Sequence, residues 1–504
     1  MSHAPDRSTL QRYWLFFLLF ALAFRGLYVA LEISELRLPD TIGVLSVQTG
    51  DTKGYLDPIE SVLAGGRYEP DYRMPGVGAP YWVFRQFLDV GMSRDAMVIV
   101  QWLLSGLCVY LLGLIATRLS GSDRVGLIVY GAYLLSAYAS WFDASISSDS
   151  FAVSTIILTA FFLQRAVDRS SLRDLVLAGA FFTWLVFLRP VSVALFLPML
   201  VLLWHFGTWP QRWKAIIAVL LPFAIADGLW TYRNWRANHE FSPLTNQGLL
   251  PADFTDEIRG HVMAFLQGYG GNYIWWTPGA DVRWYGVWKG GGELDDEGRD
   301  ANPPPDHAIV EGYTRDSLYL ISERIRAWSA GGLTPQDSLA EARSINAKLD
   351  SYADLYKREA PLNYHLLSRV RMLKNVMWQH GTEGILMRPF HTLPIWMRIF
   401  KVMQVVFYVF AYTFGSCAVL LLLWNWRKAP TLLHLWLPIM TAYMILIYPV
   451  VLRMCEWRYM VHQFPLALLL GVELGHRLIR GIRAKGISGL RGAAVPSREA
   501  GLIS

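Results

Sequence analysis

Two carboxylates and a set of arginines stand where long apolar runs give way to short polar loops. Asp51 opens the string Gly50-Asp51-Thr52-Lys53-Gly54-Tyr55, and Asp149 sits in Ser147-Ser148-Asp149-Ser150. Behind Asp51, the side chains of Tyr55, Leu56, Ile59, Val62 and Leu63 share one face at helical spacing. That pattern predicts a short amphipathic helix lying on a membrane surface, with Asp51 at its N-terminus. An acid there is placed to take a proton from a hydroxyl near the lipid headgroups. Arg73, in Arg73-Met74-Pro75-Gly76, could hold a phosphate beside it. Arg189, Arg233, Arg236, Arg453 and Arg458 fall at the same boundary. Arginines at helix ends commonly snorkel to headgroups, but so many beside acids suggest an anionic lipid head.

Asp149 has three readings. It caps the helix that starts there, since Ser147, Ser148 and Asp149 are all N-cap types. It orients an acceptor. Or it joins Asp51 in holding a divalent cation such as Mg or Mn. Asp227 lies inside an apolar run, where an acid is costly and faces a cavity or a partner, here Arg233. Trp230, Trp235, Trp457 and Tyr459 read as an interfacial aromatic belt before they read as a sugar platform. His261, His307, His365, His380 and His391 lack metal-ligand spacing, and Cys108, Cys417 and Cys455 form no disulfide framework.

These residues need elements to hold them. Only 17% of the 504 residues are charged, against about a quarter in soluble proteins. Apolar runs at 13–31, 96–117, 125–142, 151–167, 172–188, 191–206, 215–231, 402–424, 432–452 and 459–478 approach the ~20 residues that cross a bilayer. The expected fold is therefore mainly α: a polytopic membrane protein of about ten helices with an α-rich outer loop domain. The halves flanking Arg189-Pro190 are short and could form one broken or re-entrant unit. The first run ends without a small-residue cleavage site, so it reads as an anchor.

Arg7, Arg12, Arg118, Arg124, Arg165, Arg169, Arg173, Arg212, Lys214, Arg427, Lys428, Arg477, Arg480, Arg483 and Lys485 all fall on one side when the helix count is even. By the positive-inside rule both termini are then cytoplasmic, and Asp51 and Asp149 share the outer face. Segments 32–95 and 232–394 lie outside. The second carries 17 Lys and Arg against 20 Asp and Glu, and the rest of the chain 29 against 20. The basic bias thus belongs to the membrane part, and nucleic acid is not a partner.

The expected organisation is an N-terminal membrane region (1–231) containing the outer loop 32–95, an outer domain (232–395), C-terminal membrane helices (396–480) and a disordered tail (481–504). In the outer domain, Gly268-Tyr269-Gly270-Gly271-Asn272, Trp275-Trp276 and Gly290-Gly291-Gly292 read as irregular, and 293–306 as an exposed loop. One helix starts at Pro335. Another spans 362–378, with Leu366, Val370, Leu373 and Met377 as its apolar stripe opposite Arg369, Arg371 and Lys374. The glycines lack the strand–loop–helix setting of a phosphate cradle.

The chain resembles the GT-C membrane glycosyltransferases, in the bacterial branch of protein O-mannosyltransferases and lipid A aminoarabinose transferases. The residues that carry the resemblance are Asp51 to Tyr55 with Gly66 and Arg73-Met74-Pro75-Gly76, then Ser148-Asp149, where the family often has Glu. Leu188-Arg189-Pro190, Trp230 to Asn234 with Phe241-Ser242-Pro243-Leu244, and Arg458-Tyr459 with Pro465 follow. It covers residues 13–270 and 402–478, and leaves 280–394 unmatched.

The resemblance implies an inverting transferase with a polyprenyl-phosphate sugar as donor and a lipid, glycan or protein as acceptor. Transfer occurs on the outer face of the cytoplasmic (inner) membrane of a bacterium. Asp51 is then the base, with Asp149 catalytic beside it. Arg73, Arg189 and Arg458 bind the donor phosphate, and Tyr55, Asp227, Arg233, Asn234 and Tyr459 bind substrate. Asp51, Asp149 and Arg189 are expected to share one pocket, roofed by the loop after 215–231. The alternatives are a polyprenyl-linked glycan polymerase or ligase, which needs no first-loop acid, and a lipid or solute transporter, which would show paired repeats.

Overall fold

A computed structural model describes residues 8–39, 41–69, 73–204, 208–239, 241–244, 258–271, 304–378, 384–386, 388–428, 433–453 and 457–492. Among these the secondary structure is helical, and strand-like pairing is confined to two isolated bridges, Val47 with Ser145 and Val310 with Tyr313. The helices are α1 (Thr9–Arg12), α2 (Trp14–Leu36), α3 (Thr52–Leu63), α4 (Gly78–Arg85), α5 (Val90–Ser120), α6 (Asp123–Leu135), α7 (Ser148–Arg169) and α8 (Leu172–Leu188). A tight turn, Pro190–Leu195, leads to α9 (Phe196–Trp204), followed by α10 (Trp209–Asn238) and α11 (Ile258–Tyr269). Then come α12 (Arg315–Ser329), α13 (Pro335–Glu359), α14 (Ser368–Trp378), α15 (Ile395–Trp424), α16 (Leu433–Leu446) and α17 (Phe464–Gly492).

Six described helical spans are long and apolar enough to cross a membrane: α2, α5, α7, α10, α15, and α16 with its continuation to Leu452. The protein is a polytopic α-helical membrane protein. Three other expected spans are shorter or broken. α8 has 17 residues. Past it, Pro190 cannot continue the hydrogen-bond ladder, so the chain tightens into the Pro190–Leu195 turn before α9.

The expected span 125–142 stops early, because α6 ends at Leu135. The chain beyond it can leave the helix because neighbouring side chains satisfy its backbone. Gln404 of α15 accepts from the Ala137 amide at 2.7 Å and donates to the Leu135 carbonyl at 3.1 Å. Arg25 of α2 donates to the carbonyls of Tyr133 (2.7 Å) and Ser136 (2.9 Å), and Tyr28 donates to Leu135 (2.8 Å). These partners come from elements far away in sequence, so no local pattern announces the break.

The short helix after Asp51 forms as α3. Leu56 and Ile59 of its apolar face are buried, and Val62 and Leu63 at its far end are exposed. α5 starts at Val90, before the expected 96, because Asp89 caps it by accepting from the Met92 amide at 2.8 Å.

α11, α12 and α13 build a core of their own from residues including Phe265, Leu266, Leu318, Ile321, Ile325, Ile345, Leu349 and Tyr356. Three expectations here need correction. α10 carries helix through Asn238, beyond the expected boundary at 232. In α14 the buried residues are Ser368, Met372, Val376 and Met377, and Leu366 and Val370 are exposed. A π turn at Asn363–Leu367 adds a residue to the winding there and rotates the face relative to a uniform helix. The expected disordered tail begins as helix, since α17 runs to Gly492. The segments containing Trp275-Trp276 and Gly290-Gly291-Gly292, most of 293–306, and His380 and Cys455 lie outside the described residues.

Candidate functional site

Asp51 and Asp149 are brought together by backbone that belongs to no regular element. Asp95 of α5 accepts from the amides of Val44 (2.8 Å), Leu45 (2.8 Å) and Ser46 (3.2 Å), which fixes the chain leaving α2. Val47 then bridges the loop before α7: its amide donates to Ala144 at 2.9 Å, and its carbonyl accepts from Ile146 at 3.2 Å. The Thr52 hydroxyl adds a bond to the Ile146 carbonyl at 3.0 Å.

The far side of that loop is held from two helices. The Glu32 carboxylate, fully buried at the end of α2, accepts from the Ala144 amide (2.7 Å) and the Ser145 hydroxyl (2.5 Å). The Gln101 amide donates to the carbonyls of Phe142, Asp143 and Ser145 at 3.2, 3.0 and 2.9 Å. Unpaired backbone in an apolar surround is costly, so these polar side chains are what makes an irregular loop possible here.

With the scaffold satisfied, the charges face each other. Arg73 donates to Asp51 Oδ1 at 2.7 Å, and Arg458 pairs with Oδ2. Burial pushes the Asp51 carboxyl up, but the Arg458 and Arg73 guanidinium groups outweigh it and hold the group at about 2. Asp149, almost fully buried, pairs with Arg189 and accepts from the Ser147 hydroxyl at 3.0 Å. The cap of α7 is Ser147, whose hydroxyl accepts from the Asp149 amide, so the Asp149 carboxylate does not serve as the cap.

Aromatic rings join the two pairs. Tyr55 lies under Arg73, 5.2 Å from ring centroid to guanidinium, and its hydroxyl bonds to Ser148 next to Asp149. Burial, and then the charge of Asp51, raise the Tyr55 hydroxyl above its ordinary range. Tyr459 faces both Arg189 (5.4 Å) and Arg458 (5.7 Å) and stacks on Tyr448 with centroids 4.6 Å apart.

Two glycines let the first loop come this close. A Cβ on Gly54 would stand 2.2 Å from an Arg73 nitrogen, and one on Gly76 would stand 2.5 Å from the Phe187 carbonyl. The Gly76 carbonyl accepts from Trp184 at 2.9 Å, which seats the loop against the end of α8 just before Arg189.

Of the residues expected at the site, Asp51, Tyr55, Arg73, Asp149, Arg189, Arg458 and Tyr459 therefore form one cluster. Asp227, Arg233 and Asn234 do not join it. Asp227 accepts from the Leu244 amide at 2.9 Å, and its expected pairing with Arg233 is not formed. Asn234 is fully buried and donates to the Ser242 carbonyl at 2.8 Å. Arg233 donates to Asn234 at 2.9 Å and to the Tyr68 carbonyl, and lies over Tyr68 and Trp230. Trp230 is buried by this packing rather than exposed in a belt.

Asp143 is separate again. It is buried in the loop before α7, accepts from Ser150 at 2.6 Å, and is pushed up to about 7 by burial. Glu32, Asp95 and Gln101 were not foreseen. Gln101 inside an apolar run was the available signal, since intramembrane polar groups need partners.

Among the described residues no three His, Cys, Asp or Glu gather as a metal-ligand group. Asp51 and Asp149, the pair considered for Mg or Mn, are each already neutralised by arginine. A cation held by this pair would take the place of guanidinium groups on both.

Residues 78–230 match the family model described as dolichyl-phosphate-mannose-protein mannosyltransferase. No curated protein matches the chain. Among solved structures, the archaeal oligosaccharyltransferase AglB from Archaeoglobus fulgidus, in complex with an inhibitory peptide and a dolichol-phosphate, is similar at 10% identity and TM-score 0.44. The match covers 98% of this chain and 53% of that one, so the chain spans about half the length of that relative. ArnT from Cupriavidus metallidurans bound to undecaprenyl phosphate is similar at 13% identity and TM-score 0.34, covering 91% of this chain and 78% of that one. The family match covers about a third of the chain, from α4 to α10, and contains Asp149 and Arg189.

Proposed function

We propose that the protein is an inverting glycosyltransferase that moves a sugar from a polyprenyl-phosphate donor to an acceptor hydroxyl on the outer face of a bacterial cytoplasmic membrane. The observation that carries this reading is the convergence of Arg73, Arg189 and Arg458 on Asp51 and Asp149 at the end of the helix bundle.

A lipid-linked phosphate leaving group gains negative charge as the sugar departs, and preorganised guanidinium groups stabilise that charge. The bond between the anomeric carbon and the phosphate oxygen breaks, and the phosphate keeps the electron pair. A bond from the acceptor oxygen to the anomeric carbon forms on the opposite face. The hydroxyl proton passes to Asp51.

Without donor, Asp51 is a poor base, because Arg458 and Arg73 hold both its oxygens. A donor phosphate competes for those same guanidinium groups, since Arg binds phosphate in the fork geometry it offers carboxylate. Donor binding thus frees Asp51 at the moment a base is required. Asp149 holds Arg189 in place and orients the acceptor. The acceptor is a lipid, a glycan or a protein.

The outer-face assignment, with both termini cytoplasmic, rests on charge. Arg118, Arg165, Arg169, Arg477 and Arg480 cluster at the helix ends remote from Asp51, as the positive-inside rule requires of the cytoplasmic side.

The test is release of polyprenyl phosphate from a synthetic polyprenyl-phosphate sugar by the purified protein in nanodiscs. Release that depends on Asp51 supports the reading. Release that survives Asp51→Asn favours a polymerase or ligase working on the arginines alone, and no release with any acceptor removes the reading.

A further inference from the structure

A polar cavity lies at the end of the helices opposite Asp51 and Asp149. On α7, Asp149 and Gln164 are 15 residues apart, about 22 Å at 1.5 Å per residue. The cavity has a volume of about 370 Å³ and is walled by the ends of α5 and α7, the start of α16 and the middle turns of α17. That volume suits a small polar headgroup.

Its walls offer both kinds of hydrogen-bonding atom without partners. Gln164 and Glu473 are 3% and 5% exposed, yet Gln164 Oε1 and Glu473 Oε2 accept no hydrogen bond. Nε2 of His476 donates none, and Nη1 of Arg118 donates no hydrogen bond, its nearest carboxylate being Asp168 at 3.6 Å. Buried polar atoms in native proteins are nearly always satisfied, so unpartnered donors and acceptors facing one cavity point to an occupant. Arg477 and Arg480 add positive charge at the rim, and Arg477 is anchored to the other Glu473 oxygen at 2.7 Å.

We propose that this cavity binds a phosphate ester that also carries hydroxyl or ammonium hydrogens. The phosphate takes the guanidinium groups of Arg118 and Arg480, and the hydrogens satisfy Glu473 and Gln164. A purely anionic ligand would leave a buried carboxylate oxygen facing like charge, and a choline head would leave both acceptors unmet. Basic pockets between membrane helices recur as headgroup sites, and phosphatidylglycerol and phosphatidylethanolamine have the required hydrogens. A water-soluble glycerol phosphate has the same chemistry.

The test is thermal stability of the full chain in nanodiscs of phosphatidylcholine alone or mixed with phosphatidylglycerol or phosphatidylethanolamine, and in detergent with added glycerol 3-phosphate. The expected result is a Tm several degrees higher with the hydrogen-bearing headgroups. That gain should fall by more than half in Arg118→Gln and in Glu473→Gln. Arg480→Gln, an exposed change that leaves packing intact, provides a third variant. If glycerol 3-phosphate reproduces the gain in detergent, the occupant is the soluble ester; if only the bilayers do, it is lipid. Equal Tm in all lipids with no response to glycerol 3-phosphate overturns the proposal. So does a gain that persists undiminished in all three variants, which would be a bulk bilayer effect.

Discussion

One end of this bundle holds two clusters of similar composition. One contains Asp51, Asp149, Arg73, Arg189, Arg458 and Tyr459; the other contains Asp227, Arg233, Asn234, Trp230 and Tyr68. In the first, side-chain charges meet side-chain charges, and the nearby backbone is satisfied by Glu32, Gln101 and Thr52. In the second, each polar group holds backbone: Asp227 the Leu244 amide, Asn234 the Ser242 carbonyl, Arg233 the Tyr68 carbonyl. An arginine paired with a carboxylate can exchange that partner for a ligand's phosphate. A group that satisfies buried backbone cannot leave without orphaning it. Residue type alone does not separate the two cases; the identity of the partner does.

The comparison breaks most sharply on turnover. Asp51→Asn should fold normally and lose ~10²-fold or more in transfer rate. Asp227→Asn should transfer within about threefold of wild type and lower Tm instead, since its effect is on chain packing. A large turnover defect in Asp227→Asn with unchanged Tm would put the second cluster in the reaction.

A smaller effect is expected on donor binding. Arg73→Ala, Arg189→Ala and Arg458→Ala should each weaken it by about tenfold or more, and Lys at these positions should restore only part. Arg233→Ala should leave donor affinity unchanged. Gly54→Ala sharpens the same point without altering charge. Its Cβ must push the Arg73 guanidinium aside, so donor affinity should fall while Tm changes little.

The smallest effect concerns pH. The Asp143 carboxyl is raised to about 7 by burial, so the folded protein favours its neutral form. That contribution is full below the ordinary Asp range of about 4, and is lost as pH rises through the folded value near 7. Stability should therefore decline between these values in wild type, and Asp143→Asn should flatten the slope. Melting curves across that window check it, and an unchanged slope in the variant assigns the decline elsewhere.

Much of the first cluster was legible in the sequence. Asp51, Asp149, Arg73, Arg189 and Arg458 could be named because charged residues beside apolar runs are few, and the parity of the runs put them on one face. The span 125–142 was misjudged in length, and the same physics hid the scaffold. Hydropathy reports how apolar a stretch is. It does not report whether Gln404, Arg25 or Glu32, distant in sequence, will satisfy backbone that leaves the helix. The Val47–Ser145 bridge, which carries Asp51 to Asp149, has no periodic signature because it pairs two irregular segments. For Asp227, Arg233 and Asn234 the types were right for chemistry, but the short return of residues 241–244 onto α10, which claims two of them directly, could be seen only in three dimensions.

The central claim is that Arg73 and Arg458 are shared between Asp51 and a donor phosphate. It predicts opposite signs for binding and catalysis in one variant. The measurement is the affinity of polyprenyl phosphate for wild type and Asp51→Asn in nanodiscs, taken beside their transfer rates. Removing the carboxylate frees both arginines, so Asp51→Asn should bind polyprenyl phosphate more tightly while transferring sugar at least ~10²-fold more slowly. Unchanged or weaker binding together with near-wild-type transfer would contradict the account.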